Sequence, residues 1–313
     1  MYGTVKSALS LADWIAPMPR PTRTPTPLPV PARRGPHPGV IVAAAVGGAN
    51  ALGGAIWGLF AFQIHRAKTA PRPYVEALPA DGLIGDTGDT PVRVVWVGDS
   101  LAAGLGVDVV DDTPAHLVAR MLDRPVDLTV LAVPGHTSAD VTEHQLPALL
   151  ERTADVIVLC VGANDVAQMK KRSRYSERLD AILTALAPTP TVVLSLPDMG
   201  MPDRLAQPLR SLAARRGRWF ERARARVVAR HAHAVSVDVA TRPPELSRKA
   251  GRAMLCADKF HPGPDAYRIW AERITEGCKS VLGDAAEAVD KLGDAIDAIP
   301  GVGETAPSAA PAS

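Results

Sequence analysis

Residues 92–282 read as an α/β fold: a parallel sheet of about five strands with helices on both faces. A transmembrane-like helix precedes it. Three observations predict this. Short β-branched runs alternate with helical stretches from residue 92 onward. Those runs are almost continuously apolar, as strands covered on both faces are. Before them lie 26 residues without a charge, Gly39 to Ile64, and about 20 apolar residues cross a bilayer.

The elements follow in order. Residues 17–38 hold nine prolines and four arginines. That composition predicts an extended, disordered tail over 1–38 with polyproline character. The uncharged stretch 39–64 follows, with Trp57, Phe60 and Phe62 near its end, where an aromatic belt sits. Its late start and basic exit fit a signal anchor better than a cleaved signal peptide. Arg20, Arg23, Arg33 and Arg34 precede it, against Arg66, Lys68 and Arg72 after it. Four against three leans toward N-terminus inside, so the expectation is a membrane-anchored, extracytoplasmic domain. Gly54 and Gly58 stand at GxxxG spacing, a weak cue for helix pairing. Residues 65–91 read as a linker.

Strands are predicted at 92–97, 127–133, 155–161, 191–196 and 233–239. Helices are predicted at about 112–123, 138–152, 175–187, 207–230 and 264–282. The helix at 207–230 carries eight arginines, read as a solvated face. Its apolar stripe is Leu209, Leu212, Phe220, Ala223 and Val227. A short helix to about 298 and a disordered tail end the chain.

The bulk numbers exclude some functions. The net charge of +2 gives no footprint for nucleic acid. The three cysteines, Cys160, Cys256 and Cys278, form no disulfide framework. Cys278 lies some way along the last helix and Cys256 near its start, so three free thiols are expected. No metal-ligand spacing such as H-E-x-x-H occurs, so the sequence offers no support for a metal site.

The chemistry concentrates at strand ends, where open α/β sheets bind ligands. The first strand runs into "GDSLAAGLG", with Asp99 and Ser100 at its end. This is neither a P-loop nor a dinucleotide fingerprint, and it is not the G-x-S-x-G elbow. A serine nucleophile needs a base, a group to orient the base, and donors for the oxyanion. "DKFHP" offers Asp258 and His261 three residues apart. Gly135 in "VPGHTSAD" opens a helix whose start resembles a capping pair. Asn164 in "VGAND" supplies an uncharged side-chain donor. Singly, each is ordinary turn chemistry.

Together, in this order, "VGDSLAAG", "VPGHTSAD", "VGAND" and "DKFHP" resemble the four blocks of the SGNH hydrolases, the GDSL esterases and lipases. The resemblance implies a flavodoxin-like three-layer α/β/α sandwich that uses no cofactor. It implies Ser100 as nucleophile, His261 as base and Asp258 as its orienting partner. It makes Gly135, Asn164 and the Ser100 N–H the oxyanion hole, with Asp99 in support. The expected reaction is hydrolysis of a small-molecule or lipid ester. Acyl transfer to a sugar or lipid hydroxyl would use the same residues, and an idle scaffold domain is the rival outside enzymology. His136 departs from the pattern as a second titrating group beside the cleft or a solvated turn residue. Lys170, Lys171, Arg172 and Arg174 form a basic run beside Asn164. Acyl length, leaving group and oligomeric state stay open.

Overall fold

In a computed structural model, the described residues are 77–240 except 87, then 248–297, with short pieces between 58 and 66. Six strands form one sheet: β1 (Gly82–Ile84), β2 (Val92–Gly98), β3 (Val126–Val130), β4 (Val156–Cys160), β5 (Thr191–Leu194) and β6 (Ala234–Val237). Their order is β1-β3-β2-β4-β5-β6. The last five are mutually parallel, as the apolar runs predict.

The sheet is nevertheless mixed. β1 pairs antiparallel with β3, Leu83 opposite Asp127. From sequence these residues read as linker, and about five strands are predicted. Three residues, largely exposed, are too few to show alternation or a buried run.

Both faces of the sheet are covered. Successive side chains of a strand point to opposite faces. Val92, Val94 and Trp96 therefore enter one apolar core with α1 (Pro114–Met121) and α7 (Pro264–Asp297). Val95 and Val97 enter the other, with α4 (Arg172–Leu186) and α5 (Leu209–Val228). On that second face α2 is built of three joined pieces: Ser138–Asp140, a π-helical turn Val141–Gln145, and Leu146–Leu150. Thr137 and Asp140 cap its start reciprocally. The short helices α3 (Ala163–Ala167) and α6 (Arg248–Ala253) complete the described elements used below.

Three details differ from expectation. The last helix does not end near 282 but continues to Asp297. Gly283, the apparent break, sits inside it, and an internal glycine costs only about 1 kcal/mol. Leu212 of the expected apolar stripe is exposed. Among the arginines of α5, Arg224 is buried. It donates to Val193 O and Ser236 Oγ and pairs with Glu221, so it ties α5 to the sheet rather than to solvent.

Most of the uncharged stretch 39–64 lies outside the described residues, as do 1–38 and 298–313. Among the described residues no helix is long and apolar enough to cross a membrane. The buried Gln63 accepts from Leu209 N–H and donates to Gln207 O at the start of α5.

Candidate active site

Four chain crossings at the C-terminal edge of the sheet build the site. β2 ends at Gly98, whose φ is +145°. A Cβ there would stand 1.9 Å from Cys160 O, so only glycine lets β2 and β4 approach this closely. Asp99 N–H then donates to Cys160 O, and Asp99 Oδ1 accepts from Leu101 N–H at 3.0 Å. Leu105 N–H donates back to Ser100 O. The strand end is thus turned at once into a tight coil with Ser100 at its start.

The second crossing is the loop before α7. Asp258 Oδ1 accepts from Phe260 N–H, His261 N–H and Cys256 Sγ–H at 2.8, 2.9 and 3.0 Å. Asp258 Oδ2 stands 2.6 Å from His261 Nδ1, and His261 Nε2 stands 3.1 Å from Ser100 Oγ. An ionised carboxylate only accepts, so Nδ1 carries the proton and Nε2 is left to accept the Ser100 hydroxyl hydrogen. Gly106, at φ +113°, brings the two loops together. A Cβ on it would meet Pro262 O at 2.1 Å.

The third and fourth crossings bring Gly135 and Asn164. Asn164, in the first turn of α3, donates from Nδ2 to His136 O at 3.0 Å and more weakly to Asp99 Oδ2 at 3.4 Å. Gly135 is exposed, with φ +86° and open space where a Cβ would stand. Ser100 and Asn164 line one cavity, whose wall is mainly apolar: Met199, Met254, Leu255, Phe260, Ile269 and Trp270 contribute. Gly135 does not line that cavity. It joins the cluster through its neighbour His136. Ser100, His261 and Asp258 thus form one hydrogen-bonded line, with Asn164 beside it.

Residues 96–269 match the family model of the GDSL-like lipase/acylhydrolases. The chain belongs to that family. A GDSL-like esterase of Mycobacterium tuberculosis is 29% identical over 199 residues, which are 61% of this chain and 63% of that protein. The match thus spans less than two thirds of that relative. Among solved structures, the lipase/acylhydrolase from Enterococcus faecalis gives a TM-score of 0.49 at 20% identity, covering 62% of this chain and 96% of that one. The psychrotrophic esterase EstA from Pseudoalteromonas sp. gives 0.48 at 18% identity, covering 61% and 98%.

The electrostatics of this GDSL-family site are uneven. Asp258 is buried, which works against its charge. The hydrogen bonds from His261 Nδ1–H, Cys256 and His261 N–H outweigh that and hold its carboxyl below the usual range. Asp99 is buried with less help. Burial pushes it up to about 7, against the Leu101 N–H bond and with the nearby Asp165 adding to the rise. Burial also pushes the Cys256 thiol up to about 12, with Asp258 reinforcing the rise. All three cysteines are free. Cys160 and Cys278 fill apolar core, while Cys256 donates to Asp258.

Cys256 and Tyr267 shape the site, and sequence reasoning missed both. Cys256 lies two residues before Asp258, a spacing that a lone cysteine does not advertise. The buried Tyr267 donates from its hydroxyl to Leu105 O at 2.7 Å, tying α7 to the coil that holds Ser100. Nothing local in "PDAYRIW" marks it. The basic run beside Asn164 is exposed, and Arg174 pairs with Glu177.

Proposed function

We propose that the protein hydrolyses carboxylic esters through an acyl-enzyme on Ser100. The observation that carries the reading is the continuous line Asp258 Oδ2, His261 Nδ1, His261 Nε2, Ser100 Oγ, at 2.6 and 3.1 Å. It opens on a cavity with an apolar wall. Ser100 Oγ attacks the ester carbonyl while its proton passes to His261 Nε2. The carbon–oxygen bond to the alcohol then breaks, and His261 returns the proton to the leaving oxygen. Water repeats the sequence, with His261 again as base, and frees the acid. Asp258 holds the ring and stabilises the imidazolium formed at each step. Gly135 N–H, Ser100 N–H and Asn164 Nδ2 are the donors for the oxyanion. Asn164 Nδ2 turns from Asp99, its weaker partner, to the substrate oxygen.

The acyl group lies among Met199, Met254, Leu255 and Phe260, which favours an apolar acyl chain over a charged one. The expression test is direct. The full chain should release p-nitrophenol from p-nitrophenyl butyrate, and Ser100→Ala should not. Equal turnover by Ser100→Ala would remove the reading.

The same proposal puts the hydrolase domain at about 92–283 and a membrane tether at 39–64. Two observations support that placement. The end of the uncharged stretch is clasped to α5 by Gln63. The exposed side of α5 then presents Leu212, Arg215, Arg218, Trp219, Arg222 and Arg226 without an acidic residue among them. Apolar and aromatic side chains among arginines suit an anionic interface.

A further inference from the structure

Gln145 ends the π-helical turn of α2, and such turns widen a helix where a side chain must be redirected. Its amide is buried and fully used. Oε1 accepts from Gly98 N–H at 2.9 Å. Nε2 donates to Gly98 O at 2.8 Å and stands 2.9 Å from His136 Nδ1.

These contacts fix more than position. A backbone N–H can only donate, so the Gln145 oxygen must face Gly98 N, and the orientation of the amide follows. Both hydrogens on Nε2 are then directed, one at Gly98 O and one at His136 Nδ1. A ring nitrogen that receives an N–H carries no proton. His136 is therefore neutral, with its hydrogen on Nε2.

The partners of this amide are the frame of the site. Gly98 stands two residues before Ser100. His136 follows Gly135, and its carbonyl receives the Asn164 amide at 3.0 Å. One side chain thus joins the nucleophile's strand end to the loop bearing one oxyanion donor, and through that loop's carbonyl to another. We propose that Gln145 is a positioning residue of the active site: its amide locks the Gly135–His136 loop to the strand end carrying Ser100, and it selects the Nε2–H tautomer of His136. The role rests on the reading of Gly135 and Asn164 as oxyanion donors.

The lock is sensitive to protonation. Imidazolium would aim Nδ1–H at the Gln145 N–H, donor against donor, and the tie would open. Burial lowers the His136 pKa; Asp140 opposes that shift and His144 reinforces it. Asp140 and the His144 ring, 5.9 Å away, lie on its own segment. Uncharged Asn164 faces it from α3.

The test uses the full chain in detergent micelles. Nitrogen NMR of 15N-histidine protein at pH 7.5 should show His136 with Nδ1 bare and Nε2 protonated. The resonance is assigned by its loss in His136→Asn. Gln145→Ala and Gln145→Glu should each lower kcat on p-nitrophenyl butyrate about 10- to 100-fold with KM little changed, the scale expected when reacting groups are misplaced by about an ångström. In Gln145→Glu the new carboxylate accepts from Nδ1–H, so His136 should carry its proton on Nδ1 and titrate at higher pH than in the wild type. A role in packing alone would not move the tautomer. If Gln145→Ala does not fold, the wild-type tautomer and Gln145→Glu still decide. The reverse tautomer in the wild type, or two variants with wild-type kcat, would overturn the proposal while ester hydrolysis stood. A wild type with no turnover would remove the parent reading, and the positioning role with it.

Discussion

Asp99 precedes Ser100, and its carboxyl accepts from Leu101 N–H in the coil and more weakly from Asn164 Nδ2. Its carboxyl is buried, shaped by one firm N–H bond, and pushed up to about 7. A carboxyl raised in the folded state contributes stability that is complete below the unfolded value near 3.8. That contribution is lost as pH rises through about 7. Asp99→Asn removes the charge but keeps an acceptor for Leu101 N–H. Its melting temperature should therefore gain on the wild type between pH 4 and pH 8 and show no such gain below pH 4. Thermal unfolding across that range checks the sign, and a gap that closes as pH rises would contradict it. Asn164→Ala probes the oxyanion. Loss of one such donor costs about 10²–10³ in kcat in comparable sites. The expected result is that loss with KM nearly unchanged, and a change in KM alone would make Asn164 a substrate contact. At this scale the sequence is informative where partners are local. Asp258 and His261 sit three apart in one loop, and Ser100 follows a strand directly. Gln145 is opaque because its partner Gly98 lies 47 residues away and the pairing depends on a π-helical turn.

At the scale of elements, the site exists because loops meet without side chains between them. Gly106 is the clearest case, since its Cβ would collide with Pro262 O beside His261. Gly106→Ala should destabilise the domain by about 1–3 kcal/mol from the positive φ alone. It should also push the His261 loop away from Ser100. Chemical denaturation and esterase assays should both register it, and a fully active, equally stable variant would mean the loops do not touch there. The parallel strands were legible as short β-branched runs, with β2, β4 and β5 almost wholly buried, and the candidate residues follow the C-terminal edge of the sheet. β1 was not, because three largely exposed residues show no period. Nor was the burial of Arg224, whose partners Val193 and Ser236 belong to other elements. The end of α7 was misplaced at Gly283, since one glycine inside a helix looks the same in sequence as a glycine that ends it.

For the whole molecule, the hydrolase domain and the uncharged segment make separate claims. The full chain should sediment with membranes and resist carbonate extraction, while residues 77–313 should stay soluble and retain esterase activity. A full chain found free in the soluble fraction would make 39–64 something other than a tether. The parallel order of the sheet and the four family blocks were both open to a reader of the sequence. The uncharged segment is legible only as composition, because hydropathy gives length and charge but no contact with the domain. The central claim is that Ser100 becomes acylated during turnover. Rapid acid quench of the full chain with p-nitrophenyl butyrate, followed by peptide mass spectrometry, tests it most directly. The account predicts a butyryl adduct on Ser100 that is absent from Ser100→Ala. An adduct on another residue, or undiminished turnover by Ser100→Ala, would contradict it.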